Sequence, residues 1–284
     1  MSAGDSIVRP NFSTIVDAYG VRISIDADDQ SIFEQVKAIC TEAFVGRLSF
    51  SEPALASPDL RYRFRTLGNG EVEYDLDGAR VGKFVQKRGF SRHFNSMVRA
   101  HVAGKTKNWV FVHAGVVEWR GKAIVIPGQS QQGKTTLVSE LIRIGAGYMS
   151  DEFAILDSGG FVHPFDRDLA VRTSQEIGME SVSPERFGAE KRLEPIEAGM
   201  VLFTSFVENG IWNPERTTVG NGILATIPQV IPVSFNTEFA LKVLNTTFNR
   251  AIIVKSDRGE ARETAPRVLA YFDESLTAGS EGSV

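Results

Sequence analysis

The run Gly128-Gln129-Ser130-Gln131-Gln132-Gly133-Lys134-Thr135 places a glycine, four spacers, a second glycine, a lysine and a hydroxyl in the order of a Walker A phosphate loop. Glycines let backbone N–H groups turn inward around phosphate oxygens, and a helix starting there aims its positive dipole end at the same anion. Lys134 would reach the β and γ phosphates, and the Thr135 hydroxyl would ligate Mg²⁺. The loop residues and the next one, Thr136, are the candidate nucleotide contacts, and ATP and Mg²⁺ are the cofactors they imply.

A phosphate loop fixes binding and leaves the reaction open, so other groups within reach of the terminal phosphate decide the class. Asp151 begins an acidic pair, Asp151-Glu152, at the end of a short apolar run. A carboxylate at a strand end, where an open α/β sheet presents its ligand-facing residues, can hold Mg²⁺ or take a proton from an attacking hydroxyl. It can equally be a solvated turn residue. His113 lies on the run before the strand that feeds the loop, and a neighbouring-strand arrangement would bring it beside Asp151. There it could orient the carboxylate, or it could simply pack on a strand face.

The elements that must position these residues are readable around them. Ala123-Ile124-Val125-Ile126-Pro127 suits a buried strand, and the apolar spacing from Thr135 to Ile144 predicts a helix closed by Gly145-Ala146-Gly147. Upstream, residues 109–117 form a β-rich run turned by Arg120-Gly121 into the loop strand. Downstream, Tyr148 to Leu156 holds two short strands around the acidic pair, and Gly159-Gly160 turns the chain into Phe161-Val162-His163. A strand is expected over Met200 to Val207, a helix over Phe239 to Phe248, a strand over Arg250 to Lys255 and a final helix over Gly259 to Phe272. Residues 173–197 are polar and suit a short helix and a mobile loop, 208–222 read as loop, and the tail from Thr277 as disordered.

The first hundred residues carry no chemical motif of their own. Strands are expected over Val21 to Ile25, Leu60 to Leu67 and Glu71 to Leu76, with helices over Gln30 to Phe44 and Phe90 to Val102. Residues 1 to about 18 read as loosely held, although Ile7-Val8-Arg9 and Phe12 could attach them to a sheet. The expected organisation is therefore a small α+β region over 1–105, a catalytic α/β domain over 106–275 and a disordered tail over 276–284, with the boundary at the turn-prone Gly104-Lys105-Thr106-Lys107.

Composition bounds the partners. The formal charge of -4, from 31 basic and 35 acidic residues, leaves no electrostatic footprint for nucleic acid and no polybasic membrane patch. The one cysteine, Cys40, sits in an apolar helical pattern, and a single cysteine allows neither an intrachain disulfide nor a cysteine-rich zinc site. No leader or long apolar segment is visible, so the cytoplasm is the expected compartment.

Taken together, His113-Ala114-Gly115, the loop, Glu140 to Gly145 and Tyr148-Met149-Ser150-Asp151-Glu152 resemble the catalytic domain of HPr kinase/phosphorylase and its kinase-like relatives, over about residues 106–172 with a looser continuation to about 272. The resemblance implies an α/β P-loop core with a mixed sheet, of the HPr kinase and phosphoenolpyruvate carboxykinase type. It also implies phosphorylation by ATP of a seryl hydroxyl on a protein or peptide. By that resemblance Asp151 is the base, His113 its partner, Lys134 and the loop amides the phosphate clamp, and Thr135 a Mg²⁺ ligand. Glu152 stands where the family commonly has a second Asp, and it keeps the charge on a longer arm, so it joins Thr135 and Asp151 as a candidate ligand. Ser174 to Glu180 stands where bifunctional members carry a glycine-rich signature. Neither phosphorolysis nor HPr itself as substrate is therefore carried over. Pro164 to Asp168 and Arg172 look like the Pro and Arg segment of the kinase-like relatives. Proteins of this fold often assemble, so the resemblance allows a homo-oligomer, and such kinases tend to act on a partner encoded beside them. The alternatives are a nucleotide-binding regulatory module with little turnover, and a small-molecule kinase or ATPase.

Overall fold

The computed structural model describes residues 11–53, 57–85, 90–128, 133–172, 179–231 and 236–281, and the chain divides into two units, 1–108 and 109–284. In the first unit, β1 (Phe12–Ala18) and β2 (Val21–Ala27) form a hairpin whose turn, Tyr19-Gly20, takes positive φ at both residues. Helix α1 (Gln30–Ala43) starts where the Asp29 carboxylate accepts from the Ile32 N–H at 3.0 Å. Then come β3 (Leu48–Ser51), β4 (Leu60–Thr66), β5 (Glu71–Leu76), β6 (Ala79–Val85) and α2 (Phe90–Lys105). The strands lie in the order β3-β1-β2-β4-β5-β6. Tyr62 and Phe64 on β4 pack edge-on against Phe94 of α2, and Cys40 is buried with its thiol pKa pushed up to about 12 by that burial. It is a packing residue. Residues 12–18, read from sequence as loosely held, are a full strand, because β1 is the partner that satisfies one backbone edge of β2.

The second unit is built from β7 (Trp109–Trp119), β8 (Lys122–Pro127), α3 (Lys134–Arg143), β9 (Gly147–Ser150), β10 (Phe153–Asp157) and β11 (Phe161–His163). A ribbon of β12 (Leu169–Arg172) and β13 (Met179–Val182) follows, then β14 (Ile196–Phe206) and β15 (Glu215–Arg216). The chain ends with α4 (Val219–Thr226), β16 (Val230–Ile231), α5 (Thr237–Phe248), β17 (Ile252–Arg258) and α6 (Ala261–Glu281). Among the described residues the main sheet runs β11-β10-β7-β8-β14-β17-β15, with β9 and β16 also paired to β7. It is mixed: β8, β14 and β17 are parallel, while β7 is antiparallel to both β8 and β10.

Both faces of this sheet are covered, which is why its central strands read as continuous apolar runs instead of alternating ones. On one face Leu137, Val138, Leu141 and Ile142 of α3 pack with Val268, Leu269 and Phe272 of α6 against Ile124, Ile126 and Leu202. On the other, Val243, Leu244 and Phe248 of α5 cover Val112, Val125, Val201 and Ile253. Each large apolar side chain sealed in this way contributes about 1.5–3 kcal/mol. Gly115 lets α3 approach β7, since a Cβ there would lie 2.6 Å from Val138 Cγ2.

Three expectations change. Helix α6 continues through residues 277–281, where the sequence reading placed a disordered tail; Thr277 is held by a hydroxyl bond to the Glu274 carbonyl at 2.8 Å, and Leu276 packs on the core. The stretch 208–222, read as loop, contains β15 and the start of α4. Of the expected polar loop over 173–197, residues 173–178 lie outside the described residues, and the remainder forms β13, a 3-10 turn over Pro184–Phe187 and the start of β14.

Candidate functional site

The apolar run of β8 ends at Gly128, whose N–H donates to the His113 carbonyl at 3.2 Å and so ties the loop base to β7. Of the loop, Gln129, Ser130, Gln131 and Gln132 lie outside the described residues. Gly133 reappears in the left-handed region at φ 76° and caps α3. The first helical bond runs from Leu137 N–H to the Gly133 carbonyl at 3.0 Å. The amides of Lys134, Thr135 and Thr136 therefore occupy the first turn, where helical geometry supplies no acceptor and favours an anion. The Thr136 side chain is exposed.

Lys134 is 8% exposed, and its ammonium donates to the Gly128 carbonyl at 2.6 Å. Removal from water draws its pKa down to about 8, against which the Asp151 charge acts. The lysine is thus held back across the loop base.

The acidic pair sits in the turn between β9 and β10. A serine builds that turn: the buried Ser150 hydroxyl accepts from the N–H groups of Glu152 at 3.1 Å and Phe153 at 3.0 Å. Asp151 is 7% exposed. Its Oδ2 accepts from the Ala170 N–H at 2.9 Å and the Thr135 hydroxyl at 3.3 Å, and Oδ1 lies 3.4 Å from the Tyr148 hydroxyl, which donates at 2.6 Å to the Arg167 carbonyl. Burial raises the Asp151 pKa, and the Ala170 and Thr135 donors pull the other way. The carboxylate is therefore poised toward accepting a proton and is not a solvated turn group.

Glu152 points elsewhere: its Oε2 accepts from Arg167 Nη1 at 2.9 Å. His113 meets the pair through main chain, with Nδ1 2.7 Å from the Glu152 carbonyl. A carbonyl only accepts, so Nδ1 carries a proton, and the ring fixes the peptide that orients the acids.

The structure thus brings Lys134, Thr135, Asp151, Glu152 and His113 to the carboxyl end of β8, beside the middle of β7. Sequence reasoning missed four contributors: Ser150, Tyr148, Ala170 and Arg258. The serine was findable, since a hydroxyl just before an acidic turn is a local capping signal. Arg258 ends β17, is 2% exposed, and donates from Nη2 to the Gly133 carbonyl at 2.9 Å. A Cβ at Gly133 would lie 2.4 Å from that nitrogen, so a side chain there would displace the end of the Arg258 guanidinium, and the φ of 76° itself favours glycine.

Magnesium fits the donors present. Among the described residues no group of three or more His, Cys, Asp or Glu side chains could hold an ion. A hydroxyl and one or two carboxylates, completed by water and substrate phosphates, are the hard oxygens Mg²⁺ takes in nucleotide sites. No helix among the described residues is long and apolar enough to cross a membrane.

No protein-family model matches the chain, and no curated protein does. Among solved structures it has a distant likeness to the Hpr(Ser) kinase/phosphatase from Coxiella burnetii, at 14% identity and a TM-score of 0.31, covering 61% of this chain and 95% of that one. That likeness is too slight to bear on the chemistry, which rests on the residues themselves.

Proposed function

We propose that the chain is an ATP-dependent kinase that moves the γ-phosphate to a seryl or similar hydroxyl of a protein or peptide. The observation that supports this most is Asp151, a buried carboxylate of raised pKa 3.3 Å from the Thr135 hydroxyl at the loop helix. A base there accepts the hydroxyl proton as the acceptor oxygen bonds to the γ-phosphorus. The bond from that phosphorus to the β–γ bridging oxygen breaks, and ADP leaves. Lys134 offsets charge on the phosphates, and the first-turn amides of α3 hold them. Thr135 and Asp151 would hold Mg²⁺, with Glu152 once it is released from Arg167; when bound, the ion neutralises phosphate charge. Ser150 and His113 hold the acid pair in place.

The test is transfer from γ-labelled ATP to small proteins or peptides encoded beside the gene. Label on one of them that disappears with Asp151→Asn is the expected result; wild type and variant labelling every acceptor equally, or none, would oppose it. The ion pair of Glu152 with Arg167 favours a second reading, a nucleotide-binding module with little turnover, because it engages the second carboxylate. Tight ATP binding with neither transfer nor hydrolysis would support that reading.

A further inference from the structure

The strand order decides which way a nucleotide lies. The acid pair sits in the turn between β9 and β10, both of which pair with β7, so it flanks the loop strand β8 on one side. On the other side β8 is followed by β14 and β17, running parallel to it. If the γ-phosphate faces Asp151, the nucleoside extends toward the carboxyl ends of β14 and β17, the edge where open α/β sheets bind ligands.

That edge is built unlike an ordinary surface. Val201 pairs with Val125 and Phe206 with Arg258, so Phe206 and Arg258 stand three residues beyond the level of Pro127. This is ~10 Å past the end of β8, at the height of the loop. Phe206 is 48% exposed, Val207 43% and Ile211 76%. Arg258 joins Phe206 to the loop: its guanidinium lies 5.7 Å from the Phe206 ring centroid while it bonds the Gly133 carbonyl. Its own carbonyl accepts from the Val207 N–H at 2.9 Å, and the Val207 carbonyl in turn accepts from the Gly210 N–H next to Ile211. The same buried side chain has no hydrogen-bond partner for Nε among the described residues. Exposed apolar side chains beside a desolvated cation at a phosphate loop suit a ligand with a flat apolar end and an anionic end.

We infer that Phe206, Val207 and Ile211 form the subsite for the base and ribose of a nucleoside triphosphate, with Arg258 bracing the loop against that subsite. This rests on the nucleotide-binding reading above. Calorimetry with ATP and with inorganic tripolyphosphate separates the two. For wild type, both bind. Phe206→Ala is expected to weaken ATP roughly tenfold or more, as loss of an aromatic stack does, with tripolyphosphate unchanged. Ile211→Ser, at a more exposed position, should do the same to a smaller degree. Unchanged ATP affinity in both variants overturns the subsite, as does unchanged ATP affinity with a raised KM for the acceptor, which assigns the patch to the acceptor. Parallel loss of ATP and tripolyphosphate also overturns it, because the loop itself was damaged. A wild-type protein that binds neither ligand sinks the nucleotide reading first, and the subsite with it.

Discussion

Titrating Lys134 links the site's burial to its affinity. Its pKa falls from 10.5 to about 8 because burial takes the ammonium out of water, a loss that the nearby Asp151 charge only partly offsets. At about 1.4 kcal/mol per unit, that is ~3 kcal/mol held against the charged form in the free site. A bound triphosphate returns the charge to favour and draws the pKa back up. ATP binding then takes up a proton above pH 8, and affinity should fall about twentyfold between pH 7.5 and 9.5. The free protein shows the opposite trend. A folded pKa below the unfolded one means that the unfolded chain binds more protons between about 8 and 10.5, so stability rises with pH across that window. Isothermal calorimetry across the range, with circular dichroism to confirm the fold and Lys134→Met as the stability reference, measures both trends. A flat ATP affinity from pH 7.5 to 9.5 in folded protein would refute the reasoning, since either the ammonium does not contact phosphate or burial does not perturb it.

Other perturbations test the geometry around that lysine. Gly133→Ala places a Cβ 2.4 Å from Arg258 and holds a non-glycine residue at φ 76°. The backbone strain alone should lower stability by about 1–2 kcal/mol, read by urea denaturation, and ATP affinity should fall with it. Gly115→Ala drives a Cβ to 2.6 Å from Val138 and should cost ~1–3 kcal/mol by pushing α3 off β7; a neutral effect on the melting temperature would count against that close packing. Arg167→Ala removes the ion pair that engages Glu152, and the Mg²⁺ concentration for half-maximal transfer should drop severalfold; an unchanged Mg²⁺ titration would count against Glu152 as a ligand.

The parts of the site that were legible in the sequence are those fixed by local chemistry. The apolar run before Gly128 and the helical spacing after Gly133 located β8 and α3 to within a residue, since loop glycines and a glycine-closed helix signal themselves. The long run over 109–117, which β7 carries on to Trp119, and the acidic turn after Met149 were visible for the same reason. What could not be read comes from pairing across the chain. The Ala170 amide reaches Asp151 only because the β12 ribbon folds back beside the acid turn, and Arg258 reaches Gly133 only through the parallel register of β17 with β14. Helix α4 was hidden by Gly220 and Gly222, which read as loop formers. Gly222 is there because a Cβ would lie 2.8 Å from Ile253, a packing demand that no local pattern carries. Helix α6 outran its expected end because its last turns are polar and small and carry no apolar periodicity, while Leu276, packed on the core, anchors the helix just before them.

The most direct test of the central claim is single-turnover transfer of labelled γ-phosphate by wild type and Asp151→Asn, with ATP occupancy measured in the same samples. A positioned base contributes roughly 10²–10⁴-fold to such a step. The expected result is a loss in that range at unchanged ATP occupancy; equal transfer rates at equal occupancy would contradict Asp151 as the base.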